Sequence, residues 1–370
     1  MYLDFSKAFD KVPYIRLLSK LKSHGIFGDT LTWITEWLND RRQRVSVNKN
    51  LSDWRGVSSG VPQGSVLGPI LFLIYINDLD LDLVSKLGKF ADDSKLCKNV
   101  VTDSDSETLQ HDLDNLHKWS QNWQMQFNID KCSVIHMGHG NKHCTYKLGS
   151  HLLKSSERER DLGVIIDNSG KVSEQCNVAV KSANSILGII RRHIKCKNKD
   201  IVVRLYKSLV RPKLEYCIQA WSPYLRKDID MMERVQHRAT KMINGLKNVS
   251  YETRLERTGL ITLEKRRERG DLIEVFKLIK GFENVDYTRF FNLVGSSRTR
   301  GHRYKIVKLR SKLDIRKHFF SQRVVNSWNN LPASVVEADS VNSFKNRLDN
   351  FWAGGVVCGD WLVHKYFNTS

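Results

Sequence analysis

Two short segments set carboxylates at the ends of apolar strands, and together they restrict the fold more than any other feature. Tyr2-Leu3-Asp4-Phe5 reads as the end of a strand, and Lys89-Phe90-Ala91-Asp92-Asp93-Ser94-Lys95-Leu96 as strand, tight turn and strand with two acids at the tip. Acidic residues in turns commonly bond nearby backbone, and either segment alone is explained that way. Three carboxylates meeting at one sheet edge, however, repel each other unless cations neutralise them. Such a site suits Mg²⁺, a hard cation that takes oxygen ligands and also binds phosphate. The expectation is a sheet that brings Asp4, Asp92 and Asp93 together, with Asp10, beyond the first strand, in a structural role.

The remaining pattern is α+β. Pro13 opens a helix with Ile15, Leu18 and Leu21 on its apolar face, and Gly25 stops it. A second helix is predicted over Asp29 to Leu38, with Leu31, Ile34, Trp37 and Leu38 inward. Gln43 to Asn48 alternates like a strand and closes a hairpin with Trp54 to Val57. The loop Ser58 to Ser65 leads into an apolar helix from Val66 to about Leu79. Leu109, Leu113, Leu116 and Trp123 share one helical face, and short strands follow around Ser133 to Met137, Tyr146 to Leu148 and Leu162 to Ile166. From Lys171 the texture is helical: Val172 to Ile194, Ile201 to Val210, Asp228 to Leu246 and Leu263 to Ile279, with Pro212 and Pro223 as breaks.

Charge narrows the partner class. Sixty Lys and Arg against 40 Asp and Glu leave +20, a field that favours nucleic acid or an anionic membrane surface. No apolar run reaches the roughly 18 residues that a spanning helix needs. Residues 1–10 have neither a basic n-region nor an apolar h-region, and the scattered cysteines read as reduced thiols. The chain is expected to be intracellular, in nucleus or cytoplasm, with no membrane partner. Cys132, His136, His139, His143 and Cys144 are residue types that zinc accepts, but no paired CxxC accompanies them. That segment reads instead as a strand entering a Gly-rich turn.

Three motifs then carry a family resemblance. Leu3-Asp4-Phe5-Ser6-Lys7-Ala8-Phe9-Asp10 resembles the first catalytic motif of reverse transcriptases from LINE-like (non-long-terminal-repeat) retrotransposons. Gly60-Val61-Pro62-Gln63-Gly64-Ser65-Val66-Leu67-Gly68-Pro69 is similar to their second motif, and Phe90-Ala91-Asp92-Asp93 to their aromatic-x-Asp-Asp motif. The order and intervals match the family. The resemblance implies an RNA-directed DNA polymerase in which Asp4 and Asp92 are the principal ligands of two Mg²⁺ ions, Mn²⁺ being the alternative metal, and Asp93 supports the site. Its partners would be an RNA template, a DNA primer and dNTPs. Phe9 matches the family's steric gate against a ribose 2′-hydroxyl; a core aromatic is the other reading. Gln63 and Gly64 would approach the incoming nucleotide, since glycine lets backbone come close and glutamine both donates and accepts. Phe127-Asn128-Ile129-Asp130-Lys131-Cys132 resembles the fourth motif, with Lys131 near the nucleotide phosphates; a solvated surface lysine is the alternative. Asp161-Leu162-Gly163-Val164 resembles the fifth, a hairpin that grips the primer.

The implied architecture is a right-hand polymerase palm with partial fingers over residues 1–168. A helical thumb-like region, 169–250, and a basic helical carboxy-terminal region, 251–352, would follow, with a tail, 353–370, of no assigned role. Arg298, Arg300, Arg303, Lys305, Lys308 and Arg310, with Lys312, Arg316 and Lys317 against the single Asp314, form a basic segment suited to phosphate contacts. Tyr304 within it could stack on a base. The resemblance also implies a fingers region before Asp4, so the chain reads as amino-terminally truncated. Two readings follow: a polymerase domain, or a catalytically inactive element remnant that binds nucleic acid. Nothing in the sequence sets an oligomeric state.

Overall fold

The computed structural model describes residues 1–138, 140–295 and 301–354. It is α+β, and it divides into two compact units: 1–159 with 167–169, and 160–166 with the chain from 170 onward.

The first unit is built on a five-stranded sheet. Its strands are β1 (Tyr2–Leu3), β2 (Lys86–Phe90), β3 (Asp93–Cys97), β4 (Ser133–Ile135) and β5 (Lys154–Ser156), in the order β5-β4-β1-β3-β2. β1 lies antiparallel between β3 and β4, whereas β4 and β5 are parallel. The strand, tight turn and strand predicted over residues 87–96 are present as β2 and β3; along β3, Ser94 and Leu96 are buried, and Asp93 and Cys97 are exposed. Helices α1 (Tyr14–Ser23), α2 (Gly28–Leu38), α3 (Leu67–Tyr75) and α4 (Asp103–Trp123) supply most of the remaining core, with Leu17, Leu21, Leu71, Phe72, Tyr75, Leu113 and Leu116 all buried. The start of α4 is set by a capping box: the Thr102 side chain accepts from the Asp105 N–H while the Asp105 carboxylate accepts from the Thr102 N–H.

One predicted face is corrected. Ile15 is 85% exposed, and the inward stripe of α1 is Tyr14, Leu17, Leu18 and Leu21. Those positions follow the i, i+3, i+4, i+7 spacing of a helix face, and Ile15 falls outside it. Lys20 points inward beside this stripe. Its ammonium lies over the rings of Trp123 (3.7 Å), Tyr75 (4.7 Å) and Trp119 (4.8 Å) and pairs with Asp78.

The second unit is mainly helical. Ser173–His193, Arg226–Lys241 and Leu263–Ile279 are its long helices, besides Val341–Gly354. Pro212 does not break the chain as predicted. The helix Lys199–Leu205 passes through a π turn, Tyr206–Val210, into Arg211–Glu215. Proline has no N–H to donate and its ring clashes with the carbonyl four residues back; the wider turn just before it accommodates both. Leu263 joins one buried cluster with Val235 and Ala239, and Leu272, Val275 and Phe276 join another with Trp328 and Phe344, so one helix serves two cores. No helix among the described residues is long and apolar enough to cross a membrane.

Candidate active site

Asp4 directly follows β1. The β1–β3 register pairs Tyr2 with Lys95 and Leu3 with Ser94, and one further step sets Asp4 across from Asp93. Asp92 lies in the turn between β2 and β3, and Ala91 before it adopts a left-handed conformation, φ 51°, that tightens the reversal. The Asn128 N–H donates to the Asp4 carbonyl at 2.7 Å, and Phe5 stacks on Phe127 with ring centroids 4.5 Å apart. Those two contacts bring the segment resembling the fourth motif beside the first.

Lys131 is thereby delivered to the carboxylates. Its Nζ is 2.8 Å from Asp4 Oδ2, while its side chain remains largely exposed. The Asp4 hydrogen bond, followed by the charges of Asp4, Asp92 and Asp93, holds the Lys131 pKa above the ordinary lysine value. All three aspartates therefore act on one ammonium. The donors here are carboxylate oxygens, which fit a hard divalent ion. Among the described residues no group of three His, Cys, Asp or Glu side chains is already drawn together around a metal position. Of the residues weighed for zinc, His136 and His143 pack ring to ring at 4.8 Å and His136 Nδ1 meets Asn141 Oδ1 at 3.1 Å; His139 lies outside the described residues.

The second motif is held against the first by backbone. The Gly60 N–H donates to Val12 O (2.8 Å), the Val61 N–H to Phe9 O (2.7 Å), and Ser59 Oγ to Asp10 O (2.8 Å). Gly60 has φ +85°, and a Cβ there would lie 2.6 Å from Asp10 O, so only glycine fits the approach. Gln63 Nε2 donates to the Asp10 carboxylate at 3.2 Å, which makes Asp10 an anchor for this loop. Ser65 Oγ accepts from the Gly68 N–H at 2.9 Å, satisfying one donor in the first turn of α3. Phe9 is half-buried, one face stacked on Phe72 at 4.5 Å.

Sequence reasoning missed Arg41. Its guanidinium donates to Gly60 O and to the Tyr14 hydroxyl, clamping the loop from outside. One arginine within the basic run Arg41-Arg42-Gln43-Arg44 gave no signal of that role.

In the second unit, Leu162 and Gly163 both have positive φ (46° and 86°) and form the turn between the strands Arg158–Asp161 and Val164–Asp167; the Tyr216 hydroxyl donates to Leu162 O at 2.9 Å. Of the basic segment, Arg298 and Arg300 lie outside the described residues. Arg303 faces Glu337 at 3.7 Å, Lys308 donates to Asn326 Oδ1 at 2.8 Å, and Arg310 is exposed. The half-buried Tyr304 ring takes Lys280 and Arg303 at 5.0 and 4.9 Å.

Residues 1–174 match the family model for reverse transcriptase (RNA-dependent DNA polymerase). The chain's relatives come from mobile elements, as the LINE-like resemblance implied. The chain is 26% identical over 258 residues to the RNA-directed DNA polymerase from mobile element jockey of Drosophila melanogaster, covering 66% of this chain and 28% of that protein. It is 25% identical over 271 residues to the probable RNA-directed DNA polymerase from transposon X-element of the same species, covering 70% and 29%. For the probable RNA-directed DNA polymerase from transposon BS the identity is 24% over 293 residues, covering 73% and 31%. The chain thus spans less than a third of the length of the curated relatives it matches.

Proposed function

We propose that the chain is the RNA-directed DNA polymerase region of a retrotransposon enzyme, extending a DNA primer on an RNA template. The observation that carries this reading is Asp4, directly after β1 and beside the strand that begins at Asp93, with Lys131 bonded to it and within the field of Asp92 and Asp93. Residues 1–168 would act as palm and partial fingers, 169–250 as a thumb-like region and 251–352 as a basic helical region.

Asp4 and Asp92, assisted by Asp93, would hold two Mg²⁺ ions, or Mn²⁺ as the alternative, whose Lewis acidity stabilises charge on attacking and leaving oxygens. In the reaction, the primer 3′-hydroxyl gives its proton to solvent water, its oxygen bonds the α-phosphorus of the dNTP, and the bond to the β-phosphate oxygen breaks. Lys131, released from Asp4, donates a proton to the departing pyrophosphate. Phe9, braced on Phe72, excludes a ribose 2′-hydroxyl by overlap. Gln63 and Gly64 line the nucleotide's other side, on a loop fixed by Asp10 and Arg41. Arg303, Lys305, Lys308 and Arg310, with Arg298 and Arg300, bind phosphate by counterion release.

A second reading, nucleic-acid binding without synthesis, is favoured by the Asp4–Lys131 pair, which occupies a principal ligand. Primer extension on an RNA template with Mg²⁺ separates the two. Extension that Asp92→Ala abolishes supports the polymerase. Salt-sensitive RNA binding with no extension supports the second reading.

A further inference from the structure

The segment between Arg42 and Gly56 forms two short antiparallel ladders, Arg42–Gln43 with Arg55–Gly56 and Ser46–Val47 with Asn50–Leu51. The register slips by one residue between them. The Ser52 N–H donates to Val45 O at 2.9 Å and leaves Asp53 as the extra residue of a bulge. Every residue from Arg42 to Gly56 is exposed, including the apolar Val45, Val47, Leu51 and Trp54. A two-stranded hairpin with neither face on a core is marginally stable in water at best. These side chains gain from a cover, and the charge of the hairpin selects its kind: Arg42, Arg44, Lys49 and Arg55 stand against Asp53 alone.

The geometry is equally selective. Continuing the Arg42–Gly56 register sets Arg44 across from Trp54, and the Arg44 guanidinium lies 4.5 Å from the Trp54 ring centroid. An exposed indole beside a cation can stack a base on one element while a neighbouring cation takes its phosphate. The hairpin is also rooted at the nucleotide loop. The Val57 N–H donates to Arg41 O at 2.8 Å, and the Arg41 side chain holds Gly60 O.

We propose that Arg42–Gly56 is a binding site for single-stranded RNA, with a base stacked on Trp54 and phosphates on Arg42, Arg44, Lys49 and Arg55. A single strand is required because bases in a duplex stack on each other and present no free face. The choice of RNA over DNA rests on the RNA-template reading above; the binding chemistry itself does not require synthesis.

The test is fluorescence anisotropy of labelled oligouridine titrated with the full chain, alongside oligothymidine and duplex RNA. Trp54→Ala is expected to weaken oligouridine binding roughly 5- to 150-fold, the range for losing one stacked base. The double variant Arg42→Ala/Arg44→Ala should flatten the log–log salt slope by about 1.4, near 0.7 per phosphate on a single strand. Because these side chains are exposed, circular dichroism of both variants should match the parent. Unchanged affinity and slope overturn the proposal, as does equal loss with duplex RNA or oligothymidine. A dimer in sedimentation that both variants dissolve would make the occupant a second copy and also overturn it. Primer extension keeps the two readings apart. If Asp92→Ala abolishes extension while hairpin variants bind RNA normally, the hairpin site fails alone. If binding depends on the hairpin but nothing is extended, the polymerase reading fails alone.

Discussion

Lys131 Nζ lies 2.8 Å from the Asp4 carboxylate, so an ammonium that feels the charge of all three aspartates is bonded to the residue proposed as a principal metal ligand. Lysine and divalent cation compete for that carboxylate. Lys131→Ala should therefore lower the Mg²⁺ concentration that half-saturates primer extension. It should also slow extension about 10²- to 10⁴-fold if the lysine protonates the leaving group. A Mg²⁺ titration with both enzymes reads both quantities; no change in either would remove Lys131 from the site.

Gly60 and Gly64 share a positive φ but not their surroundings. A Cβ on Gly60 would meet Asp10 backbone at 2.6 Å, whereas nothing lies within 4 Å of one on Gly64. Gly64→Ala is expected to cost about 1–2 kcal/mol, the left-handed penalty alone. Gly60→Ala should cost more and impair extension, because backbone must move. Denaturant titrations of the two variants give the comparison; equal losses would contradict it.

Phe9→Val removes the ring face left beyond Phe72 and keeps a core aliphatic. Discrimination between dNTP and rNTP, measured as a ratio of kcat/KM values, should fall by roughly 10- to 200-fold, the scale of a steric pocket contact. An unchanged ratio would make Phe9 a packing residue.

Lys20 is buried in an aromatic cage and paired with Asp78. Lys20→Ala leaves that acid without its cation and the rings without their contact, and should cost about 3–5 kcal/mol. Urea unfolding reads the loss directly, and a change below 1 kcal/mol would show that the pair is not a staple of this core.

His302 gives a pH signature. It is buried, its Nε2 lies 3.1 Å from Trp328 O, and its Nδ1 has no hydrogen-bond partner among the described residues. Burial pulls its pKa below the ordinary 6.5, opposed by the Trp328 bond. With the folded value lowered, the unfolded chain binds more protons, so stability rises with pH across that window. Melting temperature should thus fall as pH drops through about 6.5 and level off below the folded pKa. His302→Gln should flatten the curve; an equally steep curve would assign the acid sensitivity elsewhere.

Local signals in the sequence determined the strand–turn–strand around Asp92, the helical face from Leu109 to Trp123 and the loop into α3. They also determined the reverse transcriptase resemblance, which rests on contiguous motifs. These features depend on chain neighbours: alternation, capping and turn sterics act over a few residues, so the linear order displays them. Tertiary structure alone decided that the strand leading to Asp4 pairs with the strand that begins at Asp93, that Lys131 pairs with Asp4, that Arg41 clamps Gly60 and that Ile15 points to solvent. Each depends on which strand lies beside which, or on which face of a helix meets the core. Residues 4 and 131 meet only because β1 lies between β3 and β4. A sheet joins segments far apart in the chain, and no local propensity records which carboxylate a distant lysine will reach.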